Sequence, residues 1–248
     1  MNTVLLTATI SPPLHVKNLT RTDVGLRLRD YETALDFYLQ RLEDKTIDRL
    51  IFCDNSAFDL TALRDRAQAH IERGQAEFLS FQGLDYAPAC GRGYGEFKLV
   101  DYAMSRSSLM TLNGEATTVW KITGRYIVGN LRRLISTRPI DCDLYVNMRN
   151  VPRRWMDLYV LGWNRRAYEG LIRGVCDRIN ETGSPLSSEE LFRRYIDAKD
   201  QTVKVKKRFV VTPQLEGHRG FDNQPYGSMN SKRVIRSTVN TLAPWLWV

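Results

Sequence analysis

The chain has 248 residues, of which 43% are hydrophobic and 26% charged, a composition typical of globular proteins with room for one large α/β domain or two small ones. No internal repeat is present and no apolar run approaches the roughly 20 residues of a membrane-spanning helix, which excludes repeat and membrane-spanning classes. The net charge of +8 favours an anionic partner, which can be a nucleic acid, a nucleotide or an acidic membrane surface.

The first half of the chain alternates strand and helix patterns. Apolar and β-branched runs predict strands over residues 3–9, 49–53, 77–81, 117–122 and 143–147. One helix is expected after an Asp30 cap, and a second after a Ser56–Asp59 capping box, closed by Gly74. This alternation predicts a mostly parallel sheet, flanked by helices, with its ligand at the carboxyl ends of the strands.

The second half is less regular. An extended piece is expected over 157–161, a helix over 168–179, a further helix after Ser187 or Ser188, and a basic strand over 204–211. Residues 213–231, with several glycines and little periodicity, are predicted to form a mobile loop over the site. The amino terminus lacks the pattern of a signal peptide, so we expect a cytoplasmic protein with reduced cysteines.

The segment Gly91-Arg92-Gly93-Tyr94-Gly95-Glu96 stands between a strand and a helix pattern. Glycines allow close approach of a ligand, and a helix start offers free N–H groups to phosphate. The spacing matches neither the dinucleotide fingerprint nor a Walker loop, so a plain strand-to-helix turn is the alternative.

Four predicted loops converge at the carboxyl ends of the strands, and their composition suits a nucleotide. Hydroxyls and a carboxylate suit a ribose and base, while Lys121 and Arg125 suit a diphosphate. The candidate nucleotide-binding residues are Thr7, Thr9, Pro12, Asp54, Asn55, Gly93, Gly95, Glu96, Lys121, Thr123, Gly124 and Arg125.

The order of four motifs resembles a family of bacterial glycosyltransferases from capsule and O-antigen gene clusters. The motifs are LLTATISP, IFCDNS, GRGYGE and WKITGRY. The resemblance implies a GT-A type, Rossmann-related fold and a cytoplasmic enzyme, at the inner face of the membrane where the glycan is lipid-linked. A nucleotide-sugar donor would bind in residues 1–150, and an oligosaccharide or lipid-linked acceptor in the irregular part 151–248 of the same domain.

The resemblance also raises the question of a metal, because GT-A enzymes usually hold Mg²⁺ or Mn²⁺ on the diphosphate with an Asp-x-Asp triplet. The triplet here is Asp141-Cys142-Asp143, which precedes an apolar run instead of following one. The alternative is a turn before a strand, with Lys121, Arg125 and the glycine-rich helix start neutralising the diphosphate without metal. For His218, contact with metal or diphosphate competes with loop packing.

An inverting transferase needs a carboxylate to take the proton of the acceptor hydroxyl. Asp157 lies beside Trp155, an aromatic suited to stacking on a sugar, and Glu216 is the competitor. For both residues, a structural carboxylate is the alternative.

Two other readings stay open. The clustered arginines also suit a basic nucleic-acid-binding or RNA-modifying α/β protein, although no nucleic-acid module motif is present. That class predicts one continuous basic stripe, whereas a transferase predicts a concave basic pocket. The tail at 244–248 either packs as a last strand or dips into a membrane interface.

Overall fold

The computed structural model describes residues 1–13, 19–110, 117–199 and 202–226. The predicted tail at 244–248 and the last part of the predicted loop, residues 227–231, lie outside these ranges. Within the described residues, no helix combines the length and apolar character needed to cross a membrane.

Twelve strands and seven helices are described. The strands are β1 (Asn2–Ala8), β2 (Arg49–Asp54), β3 (Ala76–Ser80), β4 (Thr118–Thr123), β5 (Ile127–Val128), β6 (Leu144–Tyr145), β7 (Met148–Arg149), β8 (Trp155–Met156), β9 (Val160–Trp163), β10 (Val205–Lys206), β11 (Leu215–His218) and β12 (Pro225–Tyr226). The helices are α1 (Val24–Glu43), α2 (Thr61–Arg66), α3 (Gln68–Glu72), α4 (Arg92–Arg106), α5 (Leu131–Ser136), α6 (Arg165–Ala167) and α7 (Ser188–Ala198).

A seven-stranded sheet in the order β10-β6-β9-β4-β1-β2-β3 forms the centre of the molecule. Six of its strands are parallel and β9 alone runs antiparallel, between β4 and β6. The predicted α/β class, with a mostly parallel sheet flanked by helices, is therefore confirmed. Two small sheets, β12-β11-β5 and β7-β8, lie outside it.

Helices cover both faces of the central sheet, which explains the continuous apolar runs of its strands. Along β1, Val4 and Leu6 pack into a cluster with α1, whereas Leu5 packs into a second cluster with α4. A strand that is buried on both faces needs no polar alternation, so its sequence is recognisable as a strand but not as an edge.

Helix α1 begins seven residues before the predicted Asp30 cap. Its N-cap is Asp23, whose Oδ1 accepts a hydrogen bond of 2.7 Å from the Leu26 backbone N–H. The prediction was wrong because Arg27, a charged residue in the first turns, is itself buried and interrupts the apolar periodicity.

Three other predicted elements differ from the structure. The Ser56–Asp59 capping box does not form, because the Ser56 hydroxyl donates to Asp54 and the Asp59 carboxylate accepts from Thr61. The basic strand is reduced to β10. The described part of the predicted loop 213–231 contains the ordered hairpin β11–β12. The capping box of α7 at Ser187 forms as predicted.

The glycine-rich segment forms the start of α4 and is not a loop. Gly91 is the N-cap residue with φ +83°, and Gly93 and Gly95 lie in the first turns. A Cβ on Gly93 would lie 2.4 Å from the Ser188 Cβ, and one on Gly95 would lie 1.9 Å from the Tyr86 hydroxyl. Protein side chains fill the space over these glycines, which therefore permit close packing on α4.

Replacing Gly95 by Ala is expected to destabilise the fold by about 1–3 kcal/mol, because Tyr86 must move to admit the methyl group. Gly25→Ala is the matched control: it lies on the exposed start of α1 with no atom closer than 3.4 Å, and Ala favours a helix by up to about 1 kcal/mol over Gly. Urea denaturation measures both. Equal stability of Gly95→Ala and the unchanged protein would contradict this packing role.

Candidate functional site

A buried ion pair lies at the carboxyl edge of the central sheet. The Lys121 ammonium on β4 lies 2.5 Å from Oε1 of Glu96 on α4, and it also donates to the Leu158 carbonyl. The same Glu96 oxygen accepts hydrogen bonds from the Thr7 hydroxyl at 2.9 Å and the Thr123 hydroxyl at 3.2 Å. The predicted diphosphate cation Lys121 therefore already has an anionic partner within the protein.

Burial and pairing act in opposite directions on this pair. Burial lowers the pKa of Lys121, and the Glu96 charge opposes that effect. Burial tends to raise the pKa of Glu96, but the Lys121 charge and the hydrogen bonds from Lys121, Thr7 and Thr123 lower it overall. The carboxylate is therefore ionised at neutral pH.

Asp54 and Asn55, at the end of β2, hold the surrounding loops in place. The Asp54 carboxylate accepts from the backbone N–H groups of Ile10 and Ser56, each at 2.8 Å. The Asn55 side chain accepts from the Thr9 hydroxyl at 2.7 Å. These predicted nucleotide-binding groups are engaged within the protein. Pro12 follows, half-buried.

Gly124 brings the end of β4 against β1. Its N–H donates to the Thr7 carbonyl at 2.8 Å, and a Cβ would lie 2.9 Å from that same oxygen. The close approach directs the next residue, Arg125, into the interior.

Two guanidinium groups, from Arg27 and Arg125, are buried beside this turn. Arg27 is 3% exposed and donates to the Thr9 and Arg21 carbonyls. Arg125 is 9% exposed and donates to the His218 carbonyl at 3.1 Å and to the Tyr126 hydroxyl at 2.8 Å. Across the ranges 1–13, 19–110, 117–199 and 202–226, neither forms an ion pair with a carboxylate.

The two guanidiniums lie close enough to influence each other. Burial lowers the pKa of Arg27, and the charge of Arg125 contributes to that lowering. The Tyr31 hydroxyl lies 3.3 Å from Arg27 Nη2, and its charge also acts on Arg125. Arginine stays charged under these conditions, so this arrangement, named here the arginine pair, is a buried site for an anion.

The hairpin β11–β12 closes one side of the arginine pair. Gly220 is packed so closely that a Cβ there would lie 2.7 Å from Arg125 Nη2, and its carbonyl accepts from the Arg21 backbone N–H. Arg21 itself forms a bidentate ion pair with Asp30. The predicted contact His218 lies here: its backbone carbonyl binds Arg125, and its ring lies 3.9 Å from Asp30.

Asp157 lies at the same sheet edge but is held by three donors. Its Oδ2 accepts from Asn147 at 2.6 Å, Arg149 at 2.8 Å and the Tyr159 hydroxyl at 2.8 Å. Burial lowers and the Asp157 charge raises the pKa of Arg149, with a net increase. The carboxylate thus ties the β7–β8 hairpin to the residues before β9, an arrangement that favours the structural alternative.

The other predicted carboxylates lie elsewhere. Glu216 is exposed on β11, away from the arginine pair. Asp143 precedes β6, whose first residue is level with Val119 near the start of β4, so the triplet lies at the opposite edge of the sheet. Its carboxylate accepts from Asn164 and the Lys204 backbone.

The placement of Asp141 and Asp143 as metal ligands on the diphosphate was therefore wrong. Asp141 is exposed and its nearest partner is the Lys204 ammonium at 3.7 Å. In the described part of the chain, no group of three or more histidine, cysteine or acidic side chains is arranged to hold a metal ion. The residues at these positions do not fit Mg²⁺ or Mn²⁺.

Sequence reasoning missed Arg27 and Glu189. Ser188 packs on Gly93, which places its neighbour Glu189 near the next turn of α4, and the Glu189 charge acts on Lys121. Burial raises the pKa of Glu189. The signal in the sequence was a charged residue in each case, within a helix that otherwise followed an apolar pattern.

Comparison with known proteins gives only distant likeness. No family model and no curated protein matches the chain. A solved structure named as a nucleotide-diphospho-sugar transferase, from Desulfovibrio desulfuricans G20, is 13% identical with a TM-score of 0.44 over 83% of this chain and 78% of that one. One named as a glucose-1-phosphate thymidylyltransferase, from Bacillus anthracis, is 8% identical with a TM-score of 0.40 over 87% and 88%. At these TM-scores the likeness supports no inference about activity.

Removing the carboxylate of the buried ion pair by Glu96→Gln is expected to destabilise the protein by about 3 kcal/mol at neutral pH, since Lys121 keeps its buried charge. Because the folded pKa of Glu96 is lowered, its contribution is present above its ordinary pKa of 4.5 and is lost as pH falls through the lower folded value. Urea denaturation of both proteins from pH 7 to pH 3 measures this. A difference that stays constant over that range would contradict the ion-pair explanation.

Proposed function

We propose that this chain is a glycosyltransferase that uses a nucleotide-sugar donor. The observation that carries the proposal is the arginine pair: two buried guanidiniums without a carboxylate partner in the described ranges, at the carboxyl edge of a parallel sheet. Uncompensated buried charge costs free energy unless a counter-ion binds. A diphosphate at a strand-end turn supplies that counter-charge.

In this proposal, Arg27 and Arg125 stabilise the nucleoside diphosphate as it leaves the sugar. Fixed donors aimed at a developing negative charge need no reorganisation during the reaction, and a buried site strengthens their effect. The mechanism needs no metal at Asp141 or Asp143. Asp54, Asn55, Glu96 and the threonines then shape the donor site in residues 1–150, and His218 contributes through its carbonyl.

The acceptor is the less constrained part of the proposal. The sequence motifs that resemble capsule and O-antigen transferases support a growing, lipid-linked bacterial glycan as acceptor. We place its binding in residues 151–248, which contribute the β7–β8 hairpin, α7 and the hairpin β11–β12 to the surroundings of the sheet edge.

Three carboxylates compete for the role of base toward the acceptor hydroxyl. Asp157 is held by Arg149 and two further donors, and Glu216 is exposed and away from the arginine pair. Glu189 combines a raised pKa with a position near Lys121. A raised pKa makes a carboxylate a stronger base, so we assign the proton transfer to Glu189.

The nucleic-acid alternative receives less support from the arginine pair. A duplex or single strand is recognised by cations that its phosphate backbone can reach along the surface. Arg27, Lys121 and Arg125 are all less than 10% exposed, which suits a small anion that enters a cleft.

A correct donor is expected to raise the melting temperature by about 5–10 °C at a concentration of about 100 Kd, because it binds only the folded state. The test compares UDP, GDP, CMP and dTDP sugars. Arg125→Gln should lose the shift while still melting cooperatively. The matched control is Arg173→Gln, which removes an arginine that is 67% exposed and paired only at the surface. An unchanged shift in Arg125→Gln would contradict the donor site.

Replacing the base is expected to reduce kcat by about 10²–10⁴-fold with donor binding nearly unchanged. We expect this of Glu189→Gln, with the acid side of the wild-type pH profile above the ordinary carboxyl range because the pKa of Glu189 is raised. Asp157→Asn should lower stability as well as activity, and Glu216→Gln neither. Full activity of Glu189→Gln, with Asp157→Asn folded but inactive, would return the base role to Asp157.

A further inference from the structure

A second basic site lies away from the arginine pair, between α7 and the loop that joins β7 to β8. It is a groove of about 560 Å³. We name it the arginine groove, and its charged lining residues are Arg153, Arg154, Glu190, Arg193, Arg194 and Asp197.

The carboxylates of the groove are already engaged. Asp197 accepts from Arg193 at 2.6 Å and Arg154 at 3.2 Å through Oδ2, and from Lys207 at 2.9 Å through Oδ1. Burial tends to raise the pKa of Asp197, but the hydrogen bonds from Arg193 and Lys207 lower it overall. Its single negative charge is thus shared among three cations.

Glu190 is also occupied. It belongs to the α7 capping box, where its Oε2 accepts from the Ser187 backbone N–H and hydroxyl, each at 3.1 Å. It also lies in the first turn of a helix, where the dipole favours a negative charge. Neither carboxylate is therefore available to neutralise a further arginine.

Two arginines remain unpaired in the groove. Arg153 and Arg194 are exposed, and in the parts of the chain that the structure describes their side chains have no ion pair or hydrogen bond. On a convex surface such residues separate into solvent, but here they line one concavity with Arg154 and Arg193. Convergent guanidiniums create a positive potential that a phosphate group relieves with bidentate hydrogen bonds.

We propose that the arginine groove binds the phosphate-bearing end of the acceptor, an inference that rests on the proposed function. The groove adjoins the sheet edge through one residue. Arg193 donates to the Arg149 carbonyl at 3.4 Å, and Arg149 pairs with Asp157 at that edge. A phosphomonoester or diphosphate held by Arg153 and Arg194 leaves the attached sugar free to extend toward the cleft.

The test is calorimetric titration of the full chain with inorganic pyrophosphate. The unchanged protein is expected to bind at two sites, the arginine pair and the groove. Arg153→Gln with Arg194→Gln should weaken the groove site at least about tenfold, since each lost charged hydrogen bond contributes about 1.5 kcal/mol or more. The control Arg165→Gln with Arg166→Gln changes the net charge equally at exposed positions outside the groove. Identical binding by the two double variants would overturn the proposal.

Two further titrations separate the sources of the phosphate. One uses a soluble sugar 1-phosphate, and the other uses phosphatidylcholine vesicles with and without a lipid diphosphate. Binding to either that is lost in the groove variant, but not in the control, supports the proposal and identifies the source. Loss of binding to a single-stranded RNA oligonucleotide alone would overturn it in favour of nucleic acid.

The result also separates the groove from the donor site. The groove variant should keep the melting shift with the nucleotide sugar, whereas Arg125→Gln should lose that shift and keep pyrophosphate in the groove. If no nucleotide sugar binds the unchanged protein, the proposed function fails and with it the acceptor role. Phosphate binding in the groove would then still be measured directly.

Discussion

The sheet edge is organised around the buried ammonium of Lys121. One ion pair and its hydrogen bonds connect β4 with α4, with the end of β1 and with the residue before Tyr159. A lysine in this position cannot be solvated by water, so every oxygen around it has to be supplied by the protein. The positions of α4 and of the chain that enters β9 follow from that requirement.

The arginine pair differs from Lys121 in how its charge is balanced. Lys121 has Glu96, whereas Arg27 and Arg125 have only carbonyl and phenol oxygens in the described ranges. Dipoles satisfy hydrogen-bonding geometry but provide no net negative charge. The edge therefore combines a closed ion pair, which fixes the structure, with an open cation site. Strain of this kind is typical of binding sites, where stability is exchanged for affinity.

Much of the sheet could be predicted from sequence. The strands β1 to β4 agree with their predicted ranges within about one or two residues, because buried parallel strands give continuous apolar runs. The partners of polar residues could not be predicted. Asp54, Glu96 and Lys121 were correctly grouped at one edge, but nothing in their spacing indicates that they bind one another.

Other failures had the same origin. The glycines near residue 93 have the signature of a phosphate loop, and only the positions of Tyr86 and Ser188, distant in sequence, show that they serve packing. Asp141 and Asp143 were given to the wrong edge because the direction of β6 depends on β9, the one antiparallel strand. Tertiary contacts decide such cases, and local patterns do not contain them.

The hairpin β11–β12 has a consequence for the order in which the protein forms on the ribosome. Arg125 binds a carbonyl 93 residues later, and Arg21 binds Asn223, 202 residues later. The strands that carry the anion site are synthesised early, but its wall is completed only when residues 215–226 have emerged. Contacts of this separation form slowly. A nascent chain can therefore assemble most of its sheet while its arginine pair is still open to solvent on the hairpin side.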